Sequence, residues 1–412
     1  MRILNNKKNV TAATLLLGGF CLTLSITVDS ASNNEELPVW TPEQKQQLLS
    51  ISLSQLPKSG KDLSNRYQQD KQAIALGAKL FFDTRLSKSG TISCSVCHQP
   101  NRDFSDGLKV ASGLAKGTRN TPSLLGASHQ TWFFWDGRKD SLWAQALEPI
   151  ENPIEHDLSR TQALKFVLSD ADYRKQYESI FKHIPTRSAV DAWPNDASPQ
   201  RDLESLKTWK SLPSETRHEI NVAFSNLGKA IAAYEATLNF KPSRFDQYLD
   251  DLADNKASTA LSKPEVAGLS LFIDKAQCSL CHFSPLLSSQ HFQNIGTGIR
   301  GKDMGRSEVA ETQAWDIFNC LGKYSDAPEG YCKDLEYMSK DRHSLSGSFK
   351  VPSLRNIMNT APYMHDGRFK TLEEVIELYT TVPEKRRLGN HLPPITLDET
   401  EKNQLLQFLK TL

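Results

Sequence analysis

Two five-residue segments combine a cysteine pair with a histidine in a spacing that suits one kind of chemistry. They are Cys94-Ser-Val-Cys97-His98 and Cys278-Ser-Leu-Cys281-His282. In a C-x-x-C-H segment the two thiols form thioethers with the vinyl groups of a haem, and the histidine becomes an axial ligand of the iron. A zinc site is the alternative, but zinc pairs rarely carry a histidine directly after the second cysteine in both copies. The sequence therefore predicts two covalently bound haems c, with His98 and His282 as iron ligands.

Residues 1–30 have the pattern of a secretory signal. Arg2, Lys7 and Lys8 form a basic start, and an apolar stretch follows over residues 11–28. The stretch is short and broken by threonines, so an uncleaved anchor is the minor alternative and no stable membrane insertion of the mature chain is expected. Covalent haem attachment takes place outside the bacterial cytoplasm. The signal and the haem motifs therefore both predict a periplasmic protein, with cell-surface association as a variant of that location.

The cysteine count agrees with an oxidising compartment. Of the seven cysteines, four belong to the haem motifs and Cys21 lies in the signal, which leaves Cys320 and Cys332. The simplest prediction for this pair is a disulfide, and a free thiol or a metal site is the alternative. The formal net charge is +1, so no nucleic acid and no anionic membrane is expected as a general partner.

The haem motifs lie in an internal duplication, and we call residues 77–142 the first repeat and residues 268–372 the second repeat. The matching segments are Gly77-Ala-Lys-Leu-Phe-Phe-Asp83 with Gly268-Leu-Ser-Leu-Phe-Ile-Asp274, Pro122-Ser-Leu124 with Pro352-Ser-Leu354, and Trp135-Asp-Gly-Arg138 with His365-Asp-Gly-Arg368. The spacing from each Pro-Ser-Leu to the following segment is the same in both repeats. Each repeat therefore predicts one haem domain, and positions that differ, such as Trp135 and His365, are candidates for individual roles.

The elements that must position these residues are predicted to be helices. Four segments read as helix-opening capping boxes: Thr41 to Gln44, Ser262 to Glu265, Thr371 to Glu374 and Thr396 to Glu399. Apolar residues recur at helical spacing from Ile220 to Leu238, and no long stretch alternates with period two. We predict an all-α protein with an N-terminal haem domain over residues 31–245 and a C-terminal haem domain over residues 246–412.

With these motifs the chain resembles the bacterial di-haem cytochrome c peroxidase family, which includes the methylamine-utilisation enzyme MauG. The resemblance extends from Ala73 to about Leu378 and is carried by four segments: Arg119-Asn-Thr-Pro-Ser-Leu124, Phe134-Trp-Asp-Gly-Arg138, Asn152-Pro-Ile-Glu155 and Ala361-Pro-Tyr-Met-His-Asp-Gly-Arg368. It implies two cytochrome c-like domains. It also implies that the N-terminal haem reacts with hydrogen peroxide and that the second haem passes electrons or shares oxidising equivalents.

The resemblance also assigns two residues near the N-terminal haem. Glu155 matches the distal carboxylate of the family, which moves a proton between the two peroxide oxygens. The alternative for Glu155 is a solvated loop glutamate. Trp135 matches a tryptophan that lies between the two haems and can relay a hole, and the alternative for it is aromatic core packing.

Two departures from the family pattern favour the MauG branch. Conventional cytochrome c peroxidases have a histidine ligand on the loop after the first haem motif, but Leu114 stands at about that position here. They also place a methionine ligand of the second haem where this chain has Tyr379. Tyr379 is therefore predicted to be the sixth ligand of the second iron. Core packing of Tyr379, with Met364 or Met358 as the ligand, is the alternative.

By the same resemblance, Asn120, Thr360 and Pro362 match an inter-domain calcium site, to which the threonine and the proline contribute backbone carbonyl oxygens. The predicted function is that of a periplasmic oxidoreductase that reacts with hydrogen peroxide at an open N-terminal haem. It would then oxidise a protein substrate through a high-valent state shared with a Tyr-ligated second haem. One alternative is a cytochrome c peroxidase that reduces peroxide to water with electrons from a small redox protein. The other is a non-catalytic electron-transfer cytochrome.

Overall fold

The structure is a computed structural model that describes residues 39–57, 60–297, 303–311, 316–381 and 395–412. The predicted signal, residues 1–30, lies outside these ranges. The α-helices are α1 (Pro42–Ser50), α2 (Lys71–Phe82), α3 (Cys94–Cys97), α4 (Leu142–Glu151), α5 (Arg160–Ser169), α6 (Ala171–Ile180), α7 (Arg187–Ala192), α8 (Leu203–Ser211), α9 (Ser214–Glu235), α10 (Arg244–Ala253), α11 (Lys263–Ile273), α12 (Lys333–Glu336), α13 (Leu372–Thr381) and α14 (Glu399–Leu409). Two short antiparallel strands, β1 (Phe292–Gln293) and β2 (Phe349–Lys350), form the sheet found in these ranges. The all-α prediction is confirmed.

Capping boxes begin several helices at the predicted residues. Those of α1 and α11, at Thr41 and Ser262, are present, and the Thr371 and Glu374 side chains cap α13 in the same reciprocal way. The prediction for the last helix was wrong by two residues. Asp398 is the N-cap of α14 and pairs with Glu401, because a carboxylate caps a helix more strongly than a threonine does.

A close helix crossing at a glycine is common to both repeats. Helix α2 crosses α9 where a Cβ atom on Gly77 would lie 1.9 Å from the carbonyl oxygen of Ala230. Helix α11 crosses α14 where a Cβ atom on Gly268 would lie 2.0 Å from the carbonyl oxygen of Gln404. Gly77 and Gly268 are equivalent positions of the duplication. The duplication in the sequence is therefore a repeated pair of crossed helices, each packed too closely for any side chain at the crossing.

The buried apolar side chains of the described residues form two clusters. The first core is built mainly from α2, α4, α5, α6 and α9, and the second core from α10, α11, α13 and α14. Leu48 and Ile51, at the end of α1, belong to the second core, whereas Phe318 and Tyr324 belong to the first. Each core is thus completed by a segment that lies far from it in the chain. The domain boundaries at residues 245 and 246 remain a prediction.

Backbone hydrogen bonds join the two repeats in a reciprocal pattern. The Asn120 N–H donates to the carbonyl oxygen of His365 at 2.7 Å, and the Lys350 N–H donates to that of Trp135 at 2.8 Å. Asn120 and Lys350 are equivalent positions, as are Trp135 and His365. The repeats therefore contact each other with local twofold symmetry, and Trp135 and His365 both lie at this contact.

Candidate active site

The first haem motif presents a histidine whose orientation is fixed by backbone carbonyls. His98 lies at the C-terminal end of α3, and its Nδ1 is 3.0 Å from the carbonyl oxygen of Phe104. Burial lowers the pKa of His98, and hydrogen bonds to the backbone at Phe104 and Pro122 offset part of that effect. A neutral imidazole that donates from Nδ1 leaves the Nε2 lone pair available for a metal. Cys94 and Cys97 of the same turn are free thiols.

The second motif repeats this arrangement. The Nδ1 atom of His282 is 2.9 Å from the carbonyl oxygen of Leu287. Burial lowers the pKa of His282 to about 4, and hydrogen bonds from the imidazole to the backbone carbonyl oxygens of Leu287 and Pro352 offset part of that effect. Pro352 and Pro122 are equivalent, so the duplicated Pro-Ser-Leu segment supplies a carbonyl oxygen to each histidine. Cys278 and Cys281 are free thiols as well. Two free thiols and one oriented neutral imidazole in each repeat fit a covalently bound haem.

The zinc alternative finds no support in the described part of the chain. No group of three or more His, Cys, Asp or Glu side chains there could hold a metal ion, whereas a structural zinc site needs four such ligands. Cys320 and Cys332, the other two cysteines of the described residues, form the predicted disulfide.

Glu155 lies in the turn between α4 and α5, close to the first haem motif. The Asn152 side chain donates to its Oε1 at 2.6 Å. Burial raises the pKa of Glu155, and the nearby Glu148 carboxylate raises it further. Burial is also the main cause of the raised pKa of the Cys94 and Cys97 thiols, and the Glu155 charge adds to it in both. The carboxyl group is thus half-buried and acts electrostatically on both haem-attachment residues.

The loop that carries Leu114 is attached to the backbone beside Glu155. The Leu114 N–H donates to the carbonyl oxygen of Glu155 at 3.3 Å, and the Ala115 N–H donates to that of Ile154 at 3.0 Å. A Cβ atom on Gly113 would lie 2.8 Å from the Glu155 Cα. The residue in the position of the conventional histidine ligand is therefore next to the predicted distal carboxylate, and its side chain has no atom that can coordinate iron.

Trp135 and His365 are held between the repeats by contacts of different kinds. The Trp135 indole N–H donates to the carbonyl oxygen of Asn120 at 2.9 Å. The His365 ring stacks on Phe349 with 3.7 Å between centroids, and its Nε2 is buried without a hydrogen-bond partner among the described residues. Burial lowers the pKa of His365 to about 4. The Arg119 guanidinium, which bonds to Asp136 and Asp303, adds to this effect. Both rings are thus rigidly oriented, and His365 is neutral.

Tyr379 faces the second haem motif from α13. Leu372 and Ile376 of the same helix are buried in the second core, and Tyr379 shares their face at helical spacing. Burial raises the pKa of Tyr379, and the thiols of Cys278 and Cys281 add to that rise. The phenol is therefore close enough to both haem-attachment cysteines for an electrostatic influence. Met358, one of the alternative ligands, is 44 % exposed.

The three predicted calcium ligands belong to neighbouring segments. The Asn120 N–H donates to the His365 carbonyl oxygen, which brings Asn120 beside the loop that contains Thr360 and Pro362. The Asn120 side-chain amide donates to the Leu108 carbonyl oxygen at 2.8 Å. The Thr360 hydroxyl donates to the Ile357 carbonyl oxygen at 3.1 Å. These contacts do not test calcium binding, so the calcium site remains a prediction.

Two features of the site were not identified from the sequence. The carbonyl oxygens of Pro122 and Pro352 are backbone atoms without a side-chain signature, although the duplication of Pro-Ser-Leu was a signal that these positions matter. Glu235, at the end of α9, is buried and influences Cys94. Its only signal in the sequence was a charged residue within an apolar helical pattern.

Comparisons with known proteins identify relatives of this chain. The model of the family described as di-haem cytochrome c peroxidase matches residues 71–254. The methylamine utilization protein MauG of Methylorubrum extorquens is 31% identical over 344 residues, which cover 83% of this chain and 78% of that protein. The cytochrome c551 peroxidase of Nitrosomonas europaea is 29% identical over 380 residues, which cover 89% and 90%. A solved MauG-like protein associated with microbial copper homeostasis has a TM-score of 0.61 and 27% identity, covering 86% of this chain and 93% of that one.

Proposed function

This chain belongs to the di-haem cytochrome c peroxidase family and is a haem-dependent oxidoreductase, and on that premise we propose that it uses hydrogen peroxide to oxidise a protein substrate, as MauG-like enzymes do. The observation that carries the proposal is Tyr379, a half-buried phenol within electrostatic reach of Cys278 and Cys281. By the resemblance, this is the position of a methionine ligand in the conventional peroxidases. A different ligand at the second iron would change which oxidation states that haem can hold.

The physical chemistry of Tyr379 supports its role as an iron ligand. Burial raises its pKa, so the phenol stays neutral unless a nearby cation compensates for the cost of ionisation. A ferric iron is such a cation, as metal ions deprotonate the ligands that they bind. The phenolate is a hard anionic donor that favours high oxidation states and lowers the reduction potential relative to a thioether.

Glu155 is proposed as the proton carrier of the peroxide reaction. The bound haem supplies the iron at which the O–O bond is cleaved and in which oxidising equivalents are held. The Glu155 carboxylate accepts a proton from one peroxide oxygen and donates it to the leaving oxygen, while Asn152 holds the carboxyl group in one orientation. Leu114 beside it offers no ligand atom, so a haem bound at His98 would be open to peroxide without prior reduction.

Trp135 is proposed as the electron relay between the two haems. Its indole is fixed by the hydrogen bond to Asn120 and its backbone by the hydrogen bond from Lys350. A fixed indole at the contact of the repeats needs little reorganisation when it is oxidised and reduced. Asn120, Thr360 and Pro362 are proposed to hold one Ca²⁺ in this region, where the ion would keep the two repeats in register.

We propose a periplasmic location and a protein as the reducing substrate. The location is supported by the haem motifs and by the disulfide between Cys320 and Cys332, which is stable in an oxidising compartment. Among the described residues no helix is both long and apolar enough to cross a membrane.

Optical and EPR spectra of the ferric protein, before and after stoichiometric hydrogen peroxide, test the proposal. We expect one high-spin and one low-spin haem, and an oxidised state that persists until a protein substrate is added. Tyr379→Phe should convert the low-spin haem to a high-spin form and abolish the persistent state. Tyr248→Phe, which also removes a phenol oxygen at the second core, is the matched control. An unchanged spectrum in Tyr379→Phe would exclude the ligand assignment.

The second candidate function is peroxide reduction to water with electrons from a small redox protein. It is favoured by the similarity to cytochrome c551 peroxidase, which covers most of both chains. Under this candidate, activity appears only after partial reduction, and the oxidised state decays as soon as the electron donor is present. The same spectra therefore separate the two functions.

A further inference from the structure

Glu235 is a buried carboxyl group that nothing described so far uses. It is the last residue of α9 and is 3% exposed, and its Oε2 has no hydrogen-bond partner among the described residues. Most buried polar groups in proteins are hydrogen-bonded, so a buried carboxyl oxygen without a partner calls for an explanation.

The position of Glu235 relates it to the first haem. Glu235 lies four residues after Ile231, where α9 crosses α2 at Gly77, so it occupies the same helix face one turn further along. After burial, the charge of Glu235 is the largest influence on the pKa of the Cys94 thiol. It does not contribute to the shift of His98, the iron ligand, on which Asp106 acts instead. Glu235 therefore lies within electrostatic reach of Cys94, through which a haem would be attached.

Charged groups on the helices around Glu235 are engaged elsewhere. The pairs are Lys79 of α2 with Asp172, Glu148 of α4 with Arg138, Glu151 of α4 with Arg160 of α5, and Lys229 of α9 with Asp326. Burial is accordingly the one cause of the raised pKa of Glu235, which is about 8. A haem attached through Cys94 would bring its iron near this carboxyl group as a further charge.

We propose that Glu235 is a redox-linked proton-binding residue of the first haem. When a one-electron donor reduces that haem from the ferric to the ferrous state, the Glu235 carboxylate takes up one proton from solvent and becomes a neutral acid. When the haem is oxidised again, the proton returns to solvent. The electron and the proton each compensate the charge of the other, so the net charge of the buried region stays constant.

The physical basis is reciprocal coupling between two buried charges. Because the Glu235 Oε2 has no hydrogen-bond partner among the described residues, the carboxyl group would interact with the iron of a bound haem through its charge. A ferric iron favours the carboxylate, and by linkage the carboxylate favours the ferric iron. The inference requires the family's covalent haem at Cys94, but neither the peroxide reaction nor the protein substrate of the proposed function.

Spectroelectrochemical titration of the full di-haem protein, over roughly two pH units on either side of neutrality, tests this inference. In the wild type the potential of the high-spin haem should fall by up to about 59 mV for each unit by which the pH rises. This slope corresponds to a tenfold change in the reduction equilibrium per pH unit. Glu235→Gln should remove most of this slope, because the amide keeps the shape and cannot bind the proton. Glu215→Gln, the same change at the exposed start of α9, should keep it.

A wild-type measurement covers the case in which Glu235→Gln does not fold. Redox-difference infrared spectra should show the carbonyl stretch of a protonated carboxylic acid appearing on reduction, and ¹³C-labelled glutamate should shift that band. A wild-type potential without pH dependence, an unchanged slope in Glu235→Gln, or the absence of the labelled band would each overturn the proposal. A protein that fails to react with peroxide would still give these potentials, so the two proposals fail independently.

Discussion

Burial has the same direction of effect on Glu155 and Tyr379, for which two different roles are proposed. In both residues burial raises the pKa above its usual value. A carboxyl group has a low pKa in water, so a rise brings its pKa closer to neutral pH. A group with such a pKa can both accept and donate a proton. A phenol starts near pKa 10, so a rise keeps it neutral unless a cation binds it. In the proposed function, the same effect would prepare Glu155 for proton transfer and reserve Tyr379 for a metal ion.

Glu155→Gln should lower the second-order rate constant for peroxide by about 10²-fold to 10⁴-fold, because the amide cannot accept a proton. In the wild type this rate constant should fall as the pH drops through the raised pKa of Glu155, where the carboxylate is lost, and stay constant above it. In Glu155→Gln the pH dependence should disappear. Stopped-flow absorbance measures both effects. Glu178→Gln on the surface of α6 is the control, and equal rates in the two variants would rule out Glu155 as the base.

At the residue scale, side chains with fixed spacing could be predicted from the sequence and backbone roles could not. The cysteines and His98 lie within five consecutive residues, so their chemistry is local and readable. The carbonyl oxygens that orient His98 come from Phe104 and Pro122. Any residue type has a carbonyl oxygen, so its role depends on the fold. Glu235 escaped prediction for a related reason, because its environment is made by tertiary packing of α9.

At the element scale, the loop that contains Gly113 packs closely against the backbone at Ile154 and Glu155. A Cβ atom on Gly113 would lie 2.7 Å from the Ile154 carbonyl oxygen and 2.8 Å from the Glu155 Cα, whereas one on Gly117 would lie no closer than 3.4 Å to any neighbour. Gly113→Ala must therefore displace the loop or the carboxylate, and Gly117→Ala need not. The loop acts as a spacer that sets the position of the acid.

Gly113→Ala should lower the peroxide rate constant several-fold, because a small misplacement of a catalytic group costs rate steeply. The haem content, measured by the pyridine haemochrome spectrum, should equal that of the wild type. Gly117→Ala is the matched control in the same loop and should react at the wild-type rate. If both alanine variants react equally fast, the loop does not set the position of Glu155.

The crossed helix pairs show what the sequence could and could not predict about elements. The apolar periodicity and the capping boxes correctly predicted that helices form, since both depend on residues three or four apart. The duplication showed that Gly77 and Gly268 are equivalent. It could not show that each meets a helix more than 130 residues away, at Ala230 and Gln404, since contacts between distant segments leave no spacing rule in one chain.

Gly268→Ala should destabilise the second core by at least about 1–3 kcal/mol, because the added methyl group overlaps the Gln404 carbonyl. Denaturant unfolding, followed at the absorbance of the low-spin haem, measures the loss. Ser270→Ala, two residues further along the same helix and away from the crossing, should change stability little. Equal stability of the two variants would mean that α11 and α14 are not in close contact.

At the scale of the whole molecule, a segment from the second half of the chain holds the first core. Phe318 and Tyr324 pack into that core, and Asp326 pairs with Arg66 and Lys229. The Cys320 N–H also donates to the Asp140 side chain at 2.8 Å. The disulfide from Cys320 to Cys332 closes this segment into a loop. The two haem sites are therefore linked by reciprocal hydrogen bonds at their contact and by this loop at the surface.

The disulfide should stabilise the first core, on which its loop packs, and with it the whole molecule. It spans 12 residues, and closing a loop of about that size in the unfolded chain is worth about 3 kcal/mol in the chain-entropy model. Cys320→Ser combined with Cys332→Ser should therefore lower the free energy of unfolding by about that amount. Because the loop packs on the first core, the high-spin haem should lose its native spectrum at a lower denaturant concentration than in the wild type.

A thiol reductant should shift the unfolding midpoint of the wild type to that of the double variant. It should leave the midpoint of the double variant unchanged, since the haem thioethers are not reducible. A double variant as stable as the wild type would show that ion pairs and buried aromatic rings alone hold the segment in place.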